Sequence, residues 1–175
     1  MKSGLKISIL MAISVNGMVA DQYDQVPWTK PIWSEYYKYV QSSGALVVGR
    51  RTLDLMTTTD ELDKLRKVKI AVLTRTVQAS HDNLAYFSLP TQIVEYFQNQ
   101  GFSHIVVGGG PKTNSLFLKA GLVDELVLDT FPIILTSTGK LLFNSTCDTE
   151  LPKFLEPTHS KDLENGCVRT YYIFR

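Results

Sequence analysis

Short apolar runs recur along the chain, separated by segments whose apolar positions fall three or four apart. Residues 5–13, ALVV at 45–48, KIAVLT at 69–74, LAYFS at 84–88, HIVV at 104–107 and DELVLDTFPII at 124–134 read as strands. Most of these runs are continuously apolar and rich in β-branched residues, which is the pattern of strands buried on both faces. Segments 31–43, 50–56, 90–101 and 111–121 read as helices. Pro31, Pro90 and Pro111 stand at or near helix starts, and Gly101 and Gly121 at helix stops, where each residue type is favoured. The tail carries LPKFLE at 151–156 and a hairpin about Glu164-Asn165-Gly166 that closes on CVRTYYIF. Strands alternating with helices predict an α/β fold in three layers. A mostly parallel central sheet has helices on both faces, and the C-terminal hairpin adds antiparallel strands.

No internal repeat, low-complexity tract or linker interrupts the pattern, and 175 residues suit one domain. The formal net charge of +1 gives no global pull toward nucleic acid or an anionic membrane, so any basic site must be local. Cys147 and Cys167 are too few for a disulfide framework and lack metal-site spacing. A reduced, cytoplasmic protein is the expectation. His81, His104 and His159 are scattered and suggest no metal site. No apolar stretch approaches the roughly 20 residues of a membrane span. The N-terminal run Ile7–Val15 has the look of a secretory leader. Asn16 and Gly17 break it, and the later strands need a central partner, so a first strand is expected there instead.

Ligands of open parallel sheets sit outside the carboxyl ends of the strands. Gly49, Arg50, Arg51 and Thr52 follow ALVV; Thr74, Arg75 and Thr76 follow the next strand; Gly108, Gly109, Gly110, Pro111, Lys112 and Thr113 follow HIVV. Two of these turns lead into helix N-termini, which favour anions. Arginine offers donor forks matched to phosphate. Three arginines and a lysine on one rim point to a multiply phosphorylated cofactor. The glycine turn fits neither G-x-G-x-x-G nor the P-loop pattern.

The blocks ISILMAISVNGMVA, ALVVGRRTLDLM, IAVLTRT, IVVGGGPKTNSLFLKAGLVDEL and DTFPIILTSTGKLLF, in this order and spacing, resemble the dihydrofolate-reductase-like superfamily. Within it, the chain is most similar to the reductase domain of riboflavin-biosynthesis deaminase/reductases and their stand-alone relatives. The resemblance covers nearly the whole chain. It implies NADPH as cofactor and commonly a homodimer. By position, Ala12 and Ile13 border the nicotinamide, and Arg50, Arg51 and Thr52 meet the adenosine-side phosphates. Thr74 and Arg75 flank the adenine ribose and its 2′-phosphate, Gly109, Gly110, Pro111, Lys112 and Thr113 hold the pyrophosphate, and Gly108 belongs to the same cofactor-binding turn. The expected activity is hydride transfer to a C=N or C=O bond of a pterin-like or ribosylaminopyrimidine-like molecule. Dihydrofolate reduction proper and a non-catalytic NADP-binding sensor or scaffold are the alternatives.

The substrate side departs from both parents. Dihydrofolate reductases carry a carboxylate on the first helix, a few residues after a Pro-Trp pair. Here Pro27-Trp28 is present, but Trp33 takes the acid's position. Glu35 lies two residues on, turned by about 200°. The riboflavin-type pattern S-x-D-G becomes Ser14-Val15-Asn16-Gly17, and Glu-Gly-Gly becomes Gly108-Gly109-Gly110. Asn16, Gly17, Trp28, Trp33 and Tyr36 are the candidate substrate contacts. Tyr37 and Val40 share a helical face with Trp33 and Tyr36 and are expected in the core. Asn16, Glu35 and Asp129 are the weak catalytic candidates, Asp129 because a carboxylate on a buried strand needs a partner or a function.

Overall fold

The computed structural model describes residues 4–26, 28–76, 78–80, 83–136, 138–144 and 154–174. In chain order the elements are β1 (Lys6–Ser14), β2 (Met18–Ala20), α1 (Lys30–Ser43), β3 (Ala45–Gly49), α2 (Arg50–Thr57), α3 (Glu61–Lys64), β4 (Lys69–Leu73), β5 (Leu84–Phe87), α4 (Pro90–Asn99), β6 (His104–Val107), α5 (Pro111–Lys119), β7 (Glu125–Phe131), β8 (Lys140–Leu141), β9 (Leu155–Asp162) and β10 (Val168–Phe174). Eight strands form one sheet in the order β5-β4-β3-β6-β1-β7-β10-β9. The first six are parallel; β10 runs antiparallel to β7, and β9 antiparallel to β10.

The continuous apolar runs explain why this sheet is covered on both faces. Leu46, Val48, Ile70, Val72 and Val106 turn toward Tyr37 and Val40 of α1 and Leu53 and Met56 of α2. Their neighbours Val47, Ala71, Ile105 and Val107 turn the other way, onto Ile93 and Phe97 of α4 and Phe117 of α5. Strand alternation sends successive side chains to opposite faces, so one run feeds two cores. Phe97 and Phe117 are wholly buried. Helix α4 is started by Pro90 and by Gln92, whose Oε1 accepts from the backbone N–H of Leu89 at 3.1 Å and of Ser88 at 3.2 Å.

Several boundaries differ from the sequence reading. Strand β1 runs on to Ser14, whose Oγ accepts from Met18 N and donates to Asn16 Oδ1, so a side chain shapes the turn into β2. Strand β7 stops at Phe131. The strand before the hairpin is β9, which begins at Leu155; residues 151–153, with Pro27, His81 and Cys147, lie outside the described residues. Elements β2, β8 and α3 were not expected. They span two to four residues, too short for a periodicity to show.

A polar cluster occupies the amino ends of the strands. Ser8 Oγ donates to Glu125 Oε2 at 2.9 Å and lies 2.9 Å from His104 Nε2. Tyr39 and Lys6 also reach Glu125, at 3.2 and 2.9 Å. Burial lowers the pKa of His104 below its ordinary 6.5, Lys6 adds to this, and Glu125 opposes it. The unfolded chain then binds a proton on this histidine more readily than the folded one. The stability that the neutral ring supports is complete above the unfolded value and is lost as pH falls below about 6.5. Urea midpoints measured from pH 7.5 to 5 should fall in wild type and fall less in His104→Gln; parallel curves would contradict this.

Candidate functional site

The carboxyl ends of the parallel strands open into a cleft of about 1110 Å³. That exceeds the usual roughly 300–1,000 Å³ of a small-ligand pocket, leaving room for a dinucleotide beside a second molecule.

The glycine turn after β6 is laced to the turn after β3. Gly108 N donates to Val47 O at 2.9 Å, and Gly49 N donates to Gly109 O at 2.8 Å. Gly109 has φ +91°, and a Cβ there would lie 2.9 Å from Met11 Sδ. Backbone and space together exclude a side chain. The Gly109–Gly110 peptide is cis. Helices α2 and α5 both begin at this rim, after Gly49 and Gly110, and neither has a side-chain cap. Their first-turn N–H groups are therefore open to an acceptor. Arg75 and Lys112 line the cleft, are exposed, and have no ion-pair partner among the described residues. Arg50 is tied to Asp54 at 2.8 Å, and Arg51 together with Lys140 to Asp24. Uncapped helix starts, unpaired cations and a turn that admits no Cβ form a donor set that fits the phosphates of a dinucleotide.

The aromatic side of the cleft is built by α1 and the segment before it. Trp28 packs on Phe131 with centroids 5.6 Å apart. Trp33 stacks on Tyr37 at 5.9 Å and meets Tyr36 edge-on at 5.8 Å. Trp28, Trp33 and Tyr36 line the cleft, whereas Tyr37 and Val40 are buried in the core beneath.

The three candidate acids and amides are placed differently. Asp129 lines the cleft, opposite Ala12 in register, and is 2% exposed. Both its oxygens are held by Arg169 of β10, at 2.6 and 2.8 Å. The Arg169 guanidinium lies 5.4 Å from the Tyr39 ring centre. Burial, with the Asp129 charge adding, pushes the neighbouring Cys167 thiol up to about 11. Glu35 is not among the cleft-lining residues. Hydrogen bonds from Lys38 and Lys161 hold its carboxyl below the ordinary range. Asn16 is fastened to the backbone of Leu135, donating at 2.9 Å and accepting at 3.1 Å. It does not line the cleft, nor do Ile13, Gly17 or Gly109, whereas Ala12, Thr52, Thr74, Gly108, Gly110, Pro111 and Thr113 do. On β1, Ala12 is brought to the cleft with Met11 and not with Ile13.

Met11, Asp24, Lys140 and Asn144 line the cleft without having been expected there. Asp24 adopts a left-handed φ of 66° and joins Arg51 to Lys140, 116 residues away from it. Only the coincidence of an acid in a loop with basic residues far along the chain hints at this, and such coincidences are common.

A sheet of this order, with its nucleotide-type rim and aromatic wall at the strand ends, defines a dihydrofolate-reductase-like domain. The chain belongs to the RibD C-terminal domain family, which it matches over residues 41–168. It is 34% identical over 172 residues to dihydrofolate reductase type 6 of Proteus mirabilis, covering 97% of this chain and 98% of that one. A solved structure from Shewanella sp. PV-4, provisionally described as a riboflavin biosynthesis protein, superposes with TM-score 0.80 at 22% identity, covering 98% of this chain and 99% of its own. RibD from Acinetobacter baumannii superposes with TM-score 0.79 at 15% identity over 99% of this chain and 59% of its own length. These two structural likenesses carry the fold. No helix among the described residues is long and apolar enough to cross a membrane.

Proposed function

We propose that the chain is an NADPH-dependent reductase acting on a C=N or C=O bond of a small planar heterocycle, pterin-like or aminopyrimidine-like. One observation carries this reading: uncapped helix starts and cations without an ion-pair partner among the described residues share a single cleft with a wall of Trp28, Trp33 and Tyr36. Bound NADPH supplies the hydride. The protein's part is to bind, orient and exclude water. The N-terminus of α5 and Lys112 hold the pyrophosphate. Arg50, Arg51 and Thr52 meet the adenosine side, and Thr74 and Arg75 meet the 2′-phosphate. Ala12 and Met11 border the reacting ring from β1, and the tryptophans stack against the substrate. No carboxylate of α1 reaches the cleft, since Trp33 occupies that place, which favours a substrate other than dihydrofolate.

Dihydrofolate reduction is the second reading, favoured by the 34% identity to the Proteus mirabilis enzyme over almost the whole chain. Titration with NADPH and NADH, followed by tryptophan fluorescence, tests the cofactor half. NADPH should quench and bind about 100-fold more tightly, the worth of one or two charge-assisted hydrogen bonds. Absence of quenching, or equal affinities, removes the reading. Cofactor oxidation with dihydrofolate and with a ribosylaminopyrimidine then separates the two substrates. Turnover of either excludes a purely sensing role.

A further inference from the structure

Gly108 marks the point where the cofactor turn meets the aromatic wall. A Cβ at this residue would lie 2.5 Å from Tyr36 Oη and 2.9 Å from Leu46 Cδ1. The phenolic oxygen thus fills the volume in which any side chain at 108 would begin. A ligand that reaches this point of the cleft meets a hydroxyl. The ring is held in place edge-on to Trp33 and to Tyr37, with centroids 5.8 and 5.7 Å away. Its hydroxyl has no hydrogen-bond partner among the described residues, although the residue lines the cleft. A half-buried hydroxyl on the cleft wall with no such partner is free to donate to a ligand acceptor. Burial, with Glu61 and Tyr37 adding, raises its pKa above the ordinary 10, so it stays protonated at neutral pH.

We propose that Tyr36 Oη is the specificity-determining hydrogen-bond donor of the substrate subsite, selecting a heterocycle that presents a carbonyl oxygen, and not an amino group, to the Gly108 end of the cleft. The single phenolic hydrogen bonds a carbonyl oxygen directly, whereas a ring-conjugated amino group can meet Oη only as a donor and leaves that hydrogen unused. Leaving 108 as glycine is what makes room for the phenol.

The choice of probe rests on the heterocycle-reductase reading, and the experiment separates the two. Pterin and 2,4-diaminopteridine differ at one ring position, oxo against amino, and both are fluorescent. Their anisotropy is titrated with wild-type chain and with Tyr36→Phe, in the presence and absence of NADPH. Wild type should bind the oxo probe more tightly. Tyr36→Phe should weaken the oxo probe about tenfold and the amino probe less than about twofold, with NADPH affinity unchanged. Loss of NADPH binding in wild type removes the reductase reading, while the oxo–amino contrast without cofactor still judges the hydroxyl. Equal weakening of both probes, no weakening, or no wild-type binding of the oxo probe overturns the proposal.

Thermal melting supplies an independent check. Gly108→Ala should lower the melting temperature by forcing Oη aside. The Gly108→Ala/Tyr36→Phe pair should melt above Gly108→Ala alone, because the 2.5 Å contact is gone, the Tyr36 ring carbon lies at 3.7 Å, and only the flexible Leu46 Cδ1 at 2.9 Å must still give way. A double variant that melts no higher than Gly108→Ala puts the hydroxyl elsewhere and overturns the proposal too.

Discussion

Asp129→Ala is expected to destabilise the fold by about 3–5 kcal/mol, the usual consequence of stripping one partner from a buried ion pair. Asp129 and Arg169 are 2% and 3% exposed. The guanidinium gives two of its donors to the carboxylate, at 2.6 and 2.8 Å. Removing the carboxylate strands a charge beneath α1, with the Tyr39 face and the Tyr171 side chain beside it but no counter-charge among the described residues. Replacing both partners, as in Asp129→Leu/Arg169→Met, should recover much of the loss, because neither charge is then left without its counterpart. Urea denaturation of the three proteins decides the matter. A loss below about 1 kcal/mol in Asp129→Ala would mean that water reaches Arg169 and that the pair is not sealed.

Arg75→Ala is expected to weaken NADPH binding by about 10–100-fold and leave NADH nearly unchanged, since a charge-assisted hydrogen bond to phosphate contributes about 1.5–3 kcal/mol. Arg75 suits this test because no structural role ties it to the described residues. It is exposed and makes no ion pair among the described residues. The melting temperature of the empty protein should therefore stay put. Arg51 is a less clean probe, because its replacement also leaves Asp24 to Lys140 alone. Fluorescence titration with both nucleotides gives the answer. An equal loss for NADPH and NADH would move Arg75 from the 2′-phosphate to a part that the two cofactors share.

The central sheet was legible because its strands are buried twice over. Runs such as Leu46-Val47-Val48 and Ile105-Val106-Val107 feed both cores, so they carry no polar alternation to confuse them with surface strands. Strand β9 was not legible beyond its first residues. Its sequence, LEPTHSKD, is exposed nearly throughout, and its pairing to β10 defines it. At the cleft rim, the rule that ligands gather at strand carboxyl ends picked out three turns that the fold brings to one cleft. The rest of the cleft was not legible, because its contacts join distant segments. Nothing local in Asp129 announces Arg169, and nothing in Asp24 announces Lys140. The helical spacing of Trp33, Tyr36, Tyr37 and Val40 identified one face of α1. Only the position of Gly108 shows where along that face the core ends and the cleft begins.

The ion pair between β7 and β10 also sets an order of events during synthesis. Ala12 and Asp129 are neighbours in the sheet, and both are made well before Arg169. Until β10 has left the ribosome, β7 presents a bare edge and Asp129 faces water on its far side. A nascent chain can thus lay down its parallel strands and its glycine turns early, yet it cannot close the wall of the pocket until β10, the last of these strands, is made. Assembly of the site is timed by the tail of the fold and not by its centre.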